Sequence, residues 1–301
     1  MAPPSGLVNR GNTCFCNSIL QILAHVPFGN IEPSVKDVGE SKLSQTWLTL
    51  HLSLRRAKSR VIDPSVFLSV LFQTTTHFRR GEQGDASEFL CFLLDYLHES
   101  AVRFEVNSNA SEKHVFGATQ KQYCSEFTYI RDLFHGILGH TLTNKSTDKI
   151  ISTPAQLSGS MSLSTNSGDT LSECVSSFIA PEEIHGILDE STGELCDVIK
   201  RSFLYYLPKV LILDFKRFSA DGQKKCNKFI RYPVTEFQLG NRKYYLFGIC
   251  CHIGSIHSGH YISAILRDGK WWMCDDDTVR EIPFSRVQSL PVYILFYAIY
   301  P

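Results

Sequence analysis

The pattern of hydrophobic and polar positions divides the chain into a helical first third and a β-rich last third. In the first third, apolar residues recur at helical spacing around Ile19 and after Glu88, and Leu48, Leu50, Leu52 and Leu54 lie in a leucine-rich run between them. Pro64 precedes a further apolar run and is placed to begin another helix. We therefore predict that residues 6 to about 105 are mostly helical.

Short runs of β-branched and aromatic residues dominate from Ser202 to Pro301. Such runs predict the strands of a multi-stranded sheet. Asp268 and Gly269 lie between two of the runs, and an Asp-Gly pair in this position is a strong hairpin signal. The helical and β-rich parts together predict the α+β class.

The stretch from about 141 to 177 is rich in serine and threonine and permits two interpretations. Its composition is typical of a flexible linker. Apolar residues alternate with serine over Ser160–Ser164, however, and this period is that of a strand. We favour strands, with the linker kept as the alternative.

Composition narrows the class of protein. At 301 residues the chain is near the upper limit for one domain. It has 30 basic and 30 acidic residues and a pI near 7.1, which argues against a surface that binds nucleic acid or an anionic membrane. No apolar run has the length of about 18 residues that spans a bilayer, and the N-terminus lacks a secretory signal pattern. The ten cysteines show no disulfide framework, which indicates reduced thiols in the cytoplasm or nucleus.

Cys14 is the candidate nucleophile. It follows a segment rich in glycine and asparagine and directly precedes an apolar run, so we expect it in the first turn of a helix. The free N–H groups and positive dipole end of a helix favour the thiolate, which would lower the pKa of this thiol. The alternative is a buried structural cysteine.

His260 and Asp275 are the candidate partners of Cys14. His260 begins one predicted strand and Asp275 ends the next, so antiparallel pairing would bring them to the same end of a hairpin. A cysteine, a histidine and a carboxylate that orients the histidine form an activated-thiol arrangement. The alternatives are a surface-loop histidine and a solvated turn of three aspartates.

Five segments, taken in order, resemble the signatures of the ubiquitin-specific proteases, which are papain-like cysteine peptidases that remove ubiquitin. They span residues 6 to about 298, nearly the whole chain. The segments are Gly6–Leu23, Gly81–Leu90, Leu207–Phe218, the segment around His260 and the segment around Asp275.

The resemblance implies one catalytic domain over residues 1–301. It would have a helical thumb over about 6–105, extended β fingers with part of the palm over about 115–200, and a β-rich palm over about 201–301. In this family the active-site cleft lies between thumb and palm, and the fingers grip the globular body of ubiquitin.

The resemblance also assigns catalytic roles. Cys14 would attack the carbonyl after the last glycine of ubiquitin, and His260 would act as base and then as acid. Asp275 would orient His260, with Asp276 as the backup. Asn9, five residues before the nucleophile, would stabilise the oxyanion; Asn12 is closer in sequence, and its alternative role is a turn or helix cap.

Substrate-binding residues follow from the same segments. Asp85 and Glu88 would accept hydrogen bonds from the arginines of the ubiquitin tail, and helix capping is their alternative role. Gln83 belongs to the same site. His252 and Tyr261 match positions that line the tail channel. Gly84 stands where the family often has glutamine, so one polar contact would be missing.

The chain departs from the family pattern in three places. Many members bind zinc in the fingers through two Cys-x-x-Cys pairs, which this sequence lacks, so we predict no metal and no cofactor. Cys16 is expected to pack inward, and Cys274 replaces a residue that is usually aromatic. The candidate ligands in the fingers are scattered and lack ligand spacing: Cys124, His135, His140, Cys174, His185 and Cys196.

The sequence thus predicts a thiol-dependent deubiquitinase whose partners are ubiquitin, ubiquitinated proteins and an activating protein, without nucleic acid or membrane. Three alternatives remain. They are a protease for another ubiquitin-like modifier, a catalytically weak ubiquitin-binding module, and a different papain-like hydrolase or transferase.

Overall fold

The computed structural model describes residues 3–27, 33–56, 60–101, 117–219, 221, 223–255 and 258–300. Residues 102–116, which contain the predicted boundary between thumb and fingers, lie outside this description. The extents predicted for the three lobes therefore stay a prediction.

Five of the α-helices lie in the first third of the described chain, and four lie later. They are α1 (Cys14–Ala24), α2 (Val35–Val38), α3 (Lys42–Arg56), α4 (Ser65–Thr74), α5 (Ala86–Ser100), α6 (Gly117–Ser125), α7 (Tyr129–Phe134), α8 (Leu171–Ile179) and α9 (Phe284–Val287), with a 3₁₀ turn at Thr165–Ser167.

The strands fill most of the remainder. They are β1 (Gly6–Leu7), β2 (Val61–Ile62), β3 (Gly136–Asn144), β4 (Ile150–Ser152), β5 (Ala155–Ser158), β6 (Met161–Ser164), β7 (Glu182–Asp189), β8 (Glu194–Tyr206), β9 (Val210–Lys216), β10 (Phe237–Leu239), β11 (Arg242–Gly254), β12 (Gly259–Arg267), β13 (Lys270–Asp275), β14 (Thr278–Ile282) and β15 (Val292–Ile299).

The first sheet, which corresponds to the predicted palm and is called the palm sheet below, has the strand order β14-β13-β12-β11-β15-β9-β6, with β10 paired to β11. Asp268 and Gly269 both have positive φ, at 54° and 75°, as a tight hairpin turn between β12 and β13 requires. The predicted hairpin is therefore confirmed. Because its strands are antiparallel, His260 at the start of β12 and Asp275 at the end of β13 share one end of the sheet.

The second sheet has the order β4-β3-β8-β7, with β5 paired to β3. Its long hairpin arms include the 13-residue strand β8. The Ser/Thr-rich stretch thus contributes strands of this sheet, and its alternating run forms β6, which instead pairs in parallel with β9 in the first sheet. The strand interpretation is confirmed over the linker. One part differs, because Leu171–Ile179 forms helix α8, whose start is held by a capping box between Thr170 and Glu173.

Two asparagine- and aspartate-centred turns close the outer ends of this sheet. Asn144 Oδ1 accepts hydrogen bonds from the backbone N–H groups of Ser146 and Thr147, at 2.9 and 3.1 Å. Asp189 Oδ1 accepts from the backbone and the hydroxyl of Ser191, at 2.9 and 2.6 Å. Side-chain acceptors therefore organise both turns.

Helix α1 lies at the centre of the molecule, and every one of its residues is buried. It contacts the palm through β12 and the thumb through α3 and α5. The approach to the sheet is close, since a Cβ on Gly248 would lie 2.5 Å from Ile22 Cγ2. Packing on both sides fixes the start of α1, and with it Cys14, between thumb and palm.

Other helix predictions hold with small shifts. Helix α4 begins at Ser65, one residue after Pro64, which occupies the N-cap. Asp85 is the N-cap of α5. Within the described residues, no helix combines the length and the apolar character that crossing a membrane requires.

Candidate active site

Cys14 is the first residue of α1 and is 5% exposed. The loop before it turns sharply, since Gly11 and Asn12 have φ values of 90° and 55°. Asn9 Oδ1 holds this loop by accepting hydrogen bonds from the backbone N–H groups of Gly11 and Thr13, at 3.0 and 3.2 Å. The predicted position at the start of a helix is confirmed.

The predicted protonation of Cys14 is wrong for the free enzyme. Burial raises the pKa of the Cys14 thiol above its ordinary value, and the Asp276 carboxylate acts in the same direction. Backbone hydrogen bonds from Tyr261 and Phe15 oppose this shift without reversing it. Desolvation thus outweighs the helix start, and the thiol form is favoured.

His260 and Asp275 meet as predicted. His260 Nε2 and Asp275 Oδ1 lie 2.6 Å apart, so the carboxylate accepts a hydrogen bond from this ring nitrogen. That contact fixes the tautomer and assigns proton acceptance to Nδ1. Helix α1, which begins at Cys14, packs against β12, the strand that carries His260, so the nucleophile lies beside this strand.

Asp276 has other partners than the predicted backup role implies. Its carboxylate accepts hydrogen bonds from the side-chain amides of Asn9 and Asn17, at 2.7 and 2.8 Å, whereas Oδ2 lies 3.9 Å from His260 Nε2. Its backbone carbonyl also accepts from the N–H of Leu7, at 2.8 Å. Asp276 therefore ties the palm hairpin to α1 and to the loop before Cys14.

Asn17 is a residue that the sequence reasoning missed. It is 1% exposed and follows Cys14 by three residues, so both lie on the same face of α1. An asparagine one helical turn after the candidate nucleophile, in a mainly apolar helix, was the available signal. Asn12, by contrast, points elsewhere, because its amide donates to the carbonyl of Gly81 at 2.7 Å.

Asp85 organises the wall of the cleft. Its Oδ1 caps α5 by accepting from the N–H groups of Ser87 and Glu88, at 2.7 and 3.1 Å. Its Oδ2 accepts from the hydroxyls of Tyr261 and Tyr293, at 3.1 and 2.6 Å. Asp85 therefore has the helix-capping role, and its contact with substrate stays a prediction. Tyr293 is a further residue of the site that the sequence did not predict.

Glu88 and Gln83 are exposed at the same end of α5. Gln83 Nε2 lies 3.5 Å from the carbonyl of Gly259, so its contact with the palm is long. Both side chains are accessible to a substrate in the cleft, as the prediction requires.

His252 is buried beside the candidate base. Its ring lies 4.6 Å from that of Tyr261 and 5.3 Å from that of Phe218. Burial, reinforced by the charge of Lys225, lowers the pKa of His252 to about 4, so the ring is neutral at pH 7. A Cβ on Gly259 would lie 1.9 Å from His252 Nε2, which makes glycine necessary there.

The structure also explains why residue 84 is glycine. A Cβ at this position would lie 2.7 Å from two atoms of the Phe15 ring, directly beside Cys14. Phe15 thus fills the space that a larger side chain would need. Cys16, as expected, is fully buried, and Cys274 is 2% exposed.

The predicted fingers correspond to the second sheet, whose outer turns are organised by Asn144 and Asp189. His185, which was predicted to stand apart from other candidate ligands, has a neighbouring carboxylate, because its Nδ1 lies 2.9 Å from Asp197 Oδ2. Together with Glu183 these exposed side chains form an ion-pair cluster, to which Lys145 contributes a further charge.

Comparison with known proteins gives a consistent result. The family model of ubiquitin carboxyl-terminal hydrolases matches residues 5–297. The chain is 26% identical to ubiquitin carboxyl-terminal hydrolase 17-like protein C of Mus musculus, over 98% of this chain and 54% of that protein. It is 29% identical to probable ubiquitin carboxyl-terminal hydrolase 16 of Schizosaccharomyces pombe, over 97% of this chain and 66% of that protein.

Solved structures of a SAGA Ubp8/Sgf11/Sus1/Sgf73 DUB module have the same fold. One, bound to ubiquitin aldehyde, superposes with a TM-score of 0.76 at 24% identity, over 99% of this chain and 70% of that chain. Another superposes with a TM-score of 0.70 at 26% identity, over 99% and 68%. The papain-like α+β fold is therefore confirmed. The chain spans 54–66% of the length of the curated relatives named above.

Proposed function

Since the chain belongs to the ubiquitin carboxyl-terminal hydrolase family, we propose that it hydrolyses the isopeptide or peptide bond after the C-terminal glycine of ubiquitin. The observation that carries this proposal is the His260–Asp275 contact of 2.6 Å beside a buried thiol at the start of α1. A cysteine-type mechanism needs this combination of nucleophile, base and orienting carboxylate.

The proposed reaction begins with proton transfer from Cys14 Sγ to His260 Nδ1. The sulfur attacks the glycine carbonyl, and His260 returns the proton to the leaving lysine amine as the C–N bond breaks. Water then attacks the thioester, again with His260 as base, and releases free ubiquitin and the thiol. Asp275 stabilises the imidazolium through Nε2 in both halves.

The raised pKa of Cys14 fits a role for the substrate in activation. Burial favours the neutral thiol in the free enzyme, so transfer of the Cys14 proton to His260 is proposed to accompany attack on the substrate carbonyl.

Asn9 is the proposed donor to the oxyanion. Its Oδ1 and one amide hydrogen are held by the loop and by Asp276, which leaves the second amide hydrogen for the developing charge. A donor held in advance stabilises the transition state without reorganisation, and losing one such donor typically reduces kcat about 10²–10³-fold.

The tail of the modifier is proposed to lie along Gln83, Glu88, His252 and Tyr261. Glu88 is exposed and would pair with an arginine of the tail. Asp85 supports this channel by holding the hydroxyls of Tyr261 and Tyr293. Gly259 and the buried His252 narrow the channel, which favours glycine at the end of the substrate.

The experiment that tests this proposal is covalent labelling with ubiquitin that carries a thiol-reactive group at its C-terminus. Matching probes made from other ubiquitin-like modifiers run in parallel. The expected result is a ubiquitin adduct on the wild type that is lost in Cys14→Ala.

The other outcomes distinguish the alternatives. An adduct with another modifier only would keep the chemistry and change the substrate. A folded protein that binds ubiquitin and reacts with no probe would be a binding module, and the proposed activity would then be wrong.

We further propose ubiquitin, ubiquitinated proteins and an activating protein as partners. Support comes from the similar SAGA protein, whose solved module contains Sgf11, Sus1 and Sgf73 and in one case ubiquitin aldehyde. A cytoplasmic or nuclear location is proposed because all ten cysteines are free thiols, as reducing compartments maintain.

A further inference from the structure

The loop that leads to Cys14 is held by Asp276 on the palm side and by a second carboxylate on the thumb side. Arg10, the residue directly after Asn9, lies against Asp63 in the segment between β2 and α4. Arg10 Nε donates to Asp63 Oδ1 at 3.0 Å, and Arg10 Nη2 donates to Asp63 Oδ2. The guanidinium thus contacts both oxygens, and this bidentate geometry fixes direction as well as distance.

Asp63 is itself a fixed anchor. Its Oδ1 also accepts hydrogen bonds from the backbone N–H and the hydroxyl of Ser65, at 3.0 and 2.5 Å. Ser65 is the first residue of α4, whose inner face is buried through residues that include Phe67 and Leu71. Hydrogen bonds from Arg10 and Ser65 lower the pKa of the Asp63 carboxyl, so this group is ionised at neutral pH.

The backbone before the loop runs along the same segment of the thumb. Gly6 and Leu7 of β1 pair in parallel with Val61 and Ile62 of β2. The N–H of Val8 then donates to the carbonyl of Ile62 at 3.0 Å, which continues the pairing up to the loop. The chain therefore enters the loop already aligned with the segment that carries the anchoring carboxylate.

Arg10 is connected to Asn9 by more than the peptide bond. The backbone N–H of Arg10 donates to Thr13 Oγ1 at 3.0 Å, and the Thr13 hydroxyl donates to Asn9 Oδ1 at 3.2 Å. The same Oδ1 accepts from the N–H groups of Gly11 and Thr13. Because Asn9 Oδ1 lies at the centre of this network, a shift of Arg10 would turn the Asn9 amide, which carries the proposed oxyanion donor.

The exposure of the pair indicates where its effect should appear. The side chains of Arg10 and Asp63 are 49% and 45% exposed, and an ion pair of this exposure contributes little to global stability. Its two parallel contacts instead restrict the rotation of the loop that they join to α4. The effect should therefore fall on the orientation of Asn9, since a donor to the oxyanion works best when it is held in advance.

We propose that Arg10 is a positioning residue for the oxyanion donor. With Asp63 it fixes the thumb side of the loop, while Asp276 fixes the palm side, so Asn9 is oriented from both lobes. This inference rests on the proposed function and extends it, because the donor then keeps its working orientation only while thumb and palm hold their relative positions.

Steady-state hydrolysis of ubiquitin joined to a fluorescent leaving group gives the first test. Arg10→Met should lower kcat about three- to fivefold with KM and the midpoint of thermal unfolding retained, as expected for the loss of one exposed ion pair. Arg10→Lys should lose nearly as much, because an ammonium group cannot form the bidentate contact. Lys270→Met is the matched control, since it removes a similarly exposed ion pair, with Glu281 at 2.8 Å, away from the loop.

The Asn9→Ala background decides whether Arg10 acts through Asn9. Asn9→Ala/Arg10→Met should have the same kcat as Asn9→Ala, because the residue to be positioned is already gone. A further loss of similar size in the double variant would overturn the positioning role. Full activity of Arg10→Lys would also overturn it by assigning the effect to charge alone, and a raised KM with unchanged kcat would make Arg10 a substrate contact instead.

A measurement without turnover separates this inference from the proposed activity. In protein that carries isotopically labelled asparagine, the side-chain NH₂ signals of Asn9 are identified in nuclear magnetic resonance spectra by their loss in Asn9→Ala. Arg10→Met should shift or broaden these signals, and Lys270→Met should leave them in place. Unchanged Asn9 signals in Arg10→Met would contradict the positioning role, whereas a protein that reacts with no ubiquitin probe contradicts only the activity.

Discussion

The side-chain amide of Asn9 donates a hydrogen bond of 2.7 Å to the carboxylate of Asp276. The same carboxylate accepts from the buried amide of Asn17 at 2.8 Å. The second aspartate of the hairpin thus holds the loop that carries the proposed oxyanion donor, while the first aspartate holds His260.

Replacing Asp276 with alanine should therefore lower kcat about 10²–10³-fold with little change in KM, because Asn9 loses its orientation. The buried amide of Asn17 would also lose an acceptor, which typically costs about 1–3 kcal/mol of stability. Steady-state kinetics and thermal unfolding measure both effects. Asp277→Ala is the matched control, and equal kinetics in the two variants would contradict the assignment.

Replacing Asp275 with asparagine should affect the base instead. The carboxylate that stabilises the imidazolium is lost, so kcat should fall about 10²–10⁴-fold while the affinity for ubiquitin is retained. Stopped assays give kcat, and calorimetry on Cys14→Ala and Cys14→Ala/Asp275→Asn gives the affinity. A variant with nearly full kcat would show that Asp275 does not orient His260.

The pH dependence of Cys14 alkylation should report its raised pKa. In the free enzyme, the rate with iodoacetamide should rise through an apparent pKa above that of an ordinary cysteine, because burial disfavours the thiolate. Cys91→Ser removes the exposed competing thiol. An apparent pKa below the ordinary value would mean that the helix start outweighs desolvation after all.

His25 should make stability depend on pH. It is buried, and burial lowers its pKa to about 4. The unfolded state, which titrates near 6.5, binds more protons between these values, so the free energy of unfolding should fall as the pH is lowered. Linkage gives a loss of about 2 kcal/mol between pH 7.5 and pH 5. Denaturant unfolding of the wild type and of His25→Gln at both pH values measures this loss. An equal change in the free energy of unfolding in the two proteins would refute the prediction.

Gly84 and Phe15 should show coupled effects. Gly84→Ala places a Cβ 2.7 Å from the Phe15 ring, which must move and shift the start of α1. We expect a clear loss of kcat and about 1–3 kcal/mol of stability. Phe15→Leu/Gly84→Ala should recover part of both, and purely additive single and double variants would show that the two sites do not interact.

The sequence by itself determined the candidate site and most of the elements. Cys14, His260 and Asp275 were recognisable because the nucleophile precedes an apolar helix, and because a hairpin turn dictates which residues meet at its end. These are local properties, which depend on the spacing of apolar residues and on the residues of a turn. The family resemblance added the proposed roles of Asn9 and Glu88 for the same reason, since a short motif carries them.

Only the tertiary structure decided what depends on contacts between distant segments. Asp276 lies 259 residues from its partner Asn17, and Tyr293 lies 208 residues from its partner Asp85. No local pattern encodes such pairs. The pKa of Cys14 followed from burial, which sums over every element packed around α1, so the helix start alone predicted the wrong direction.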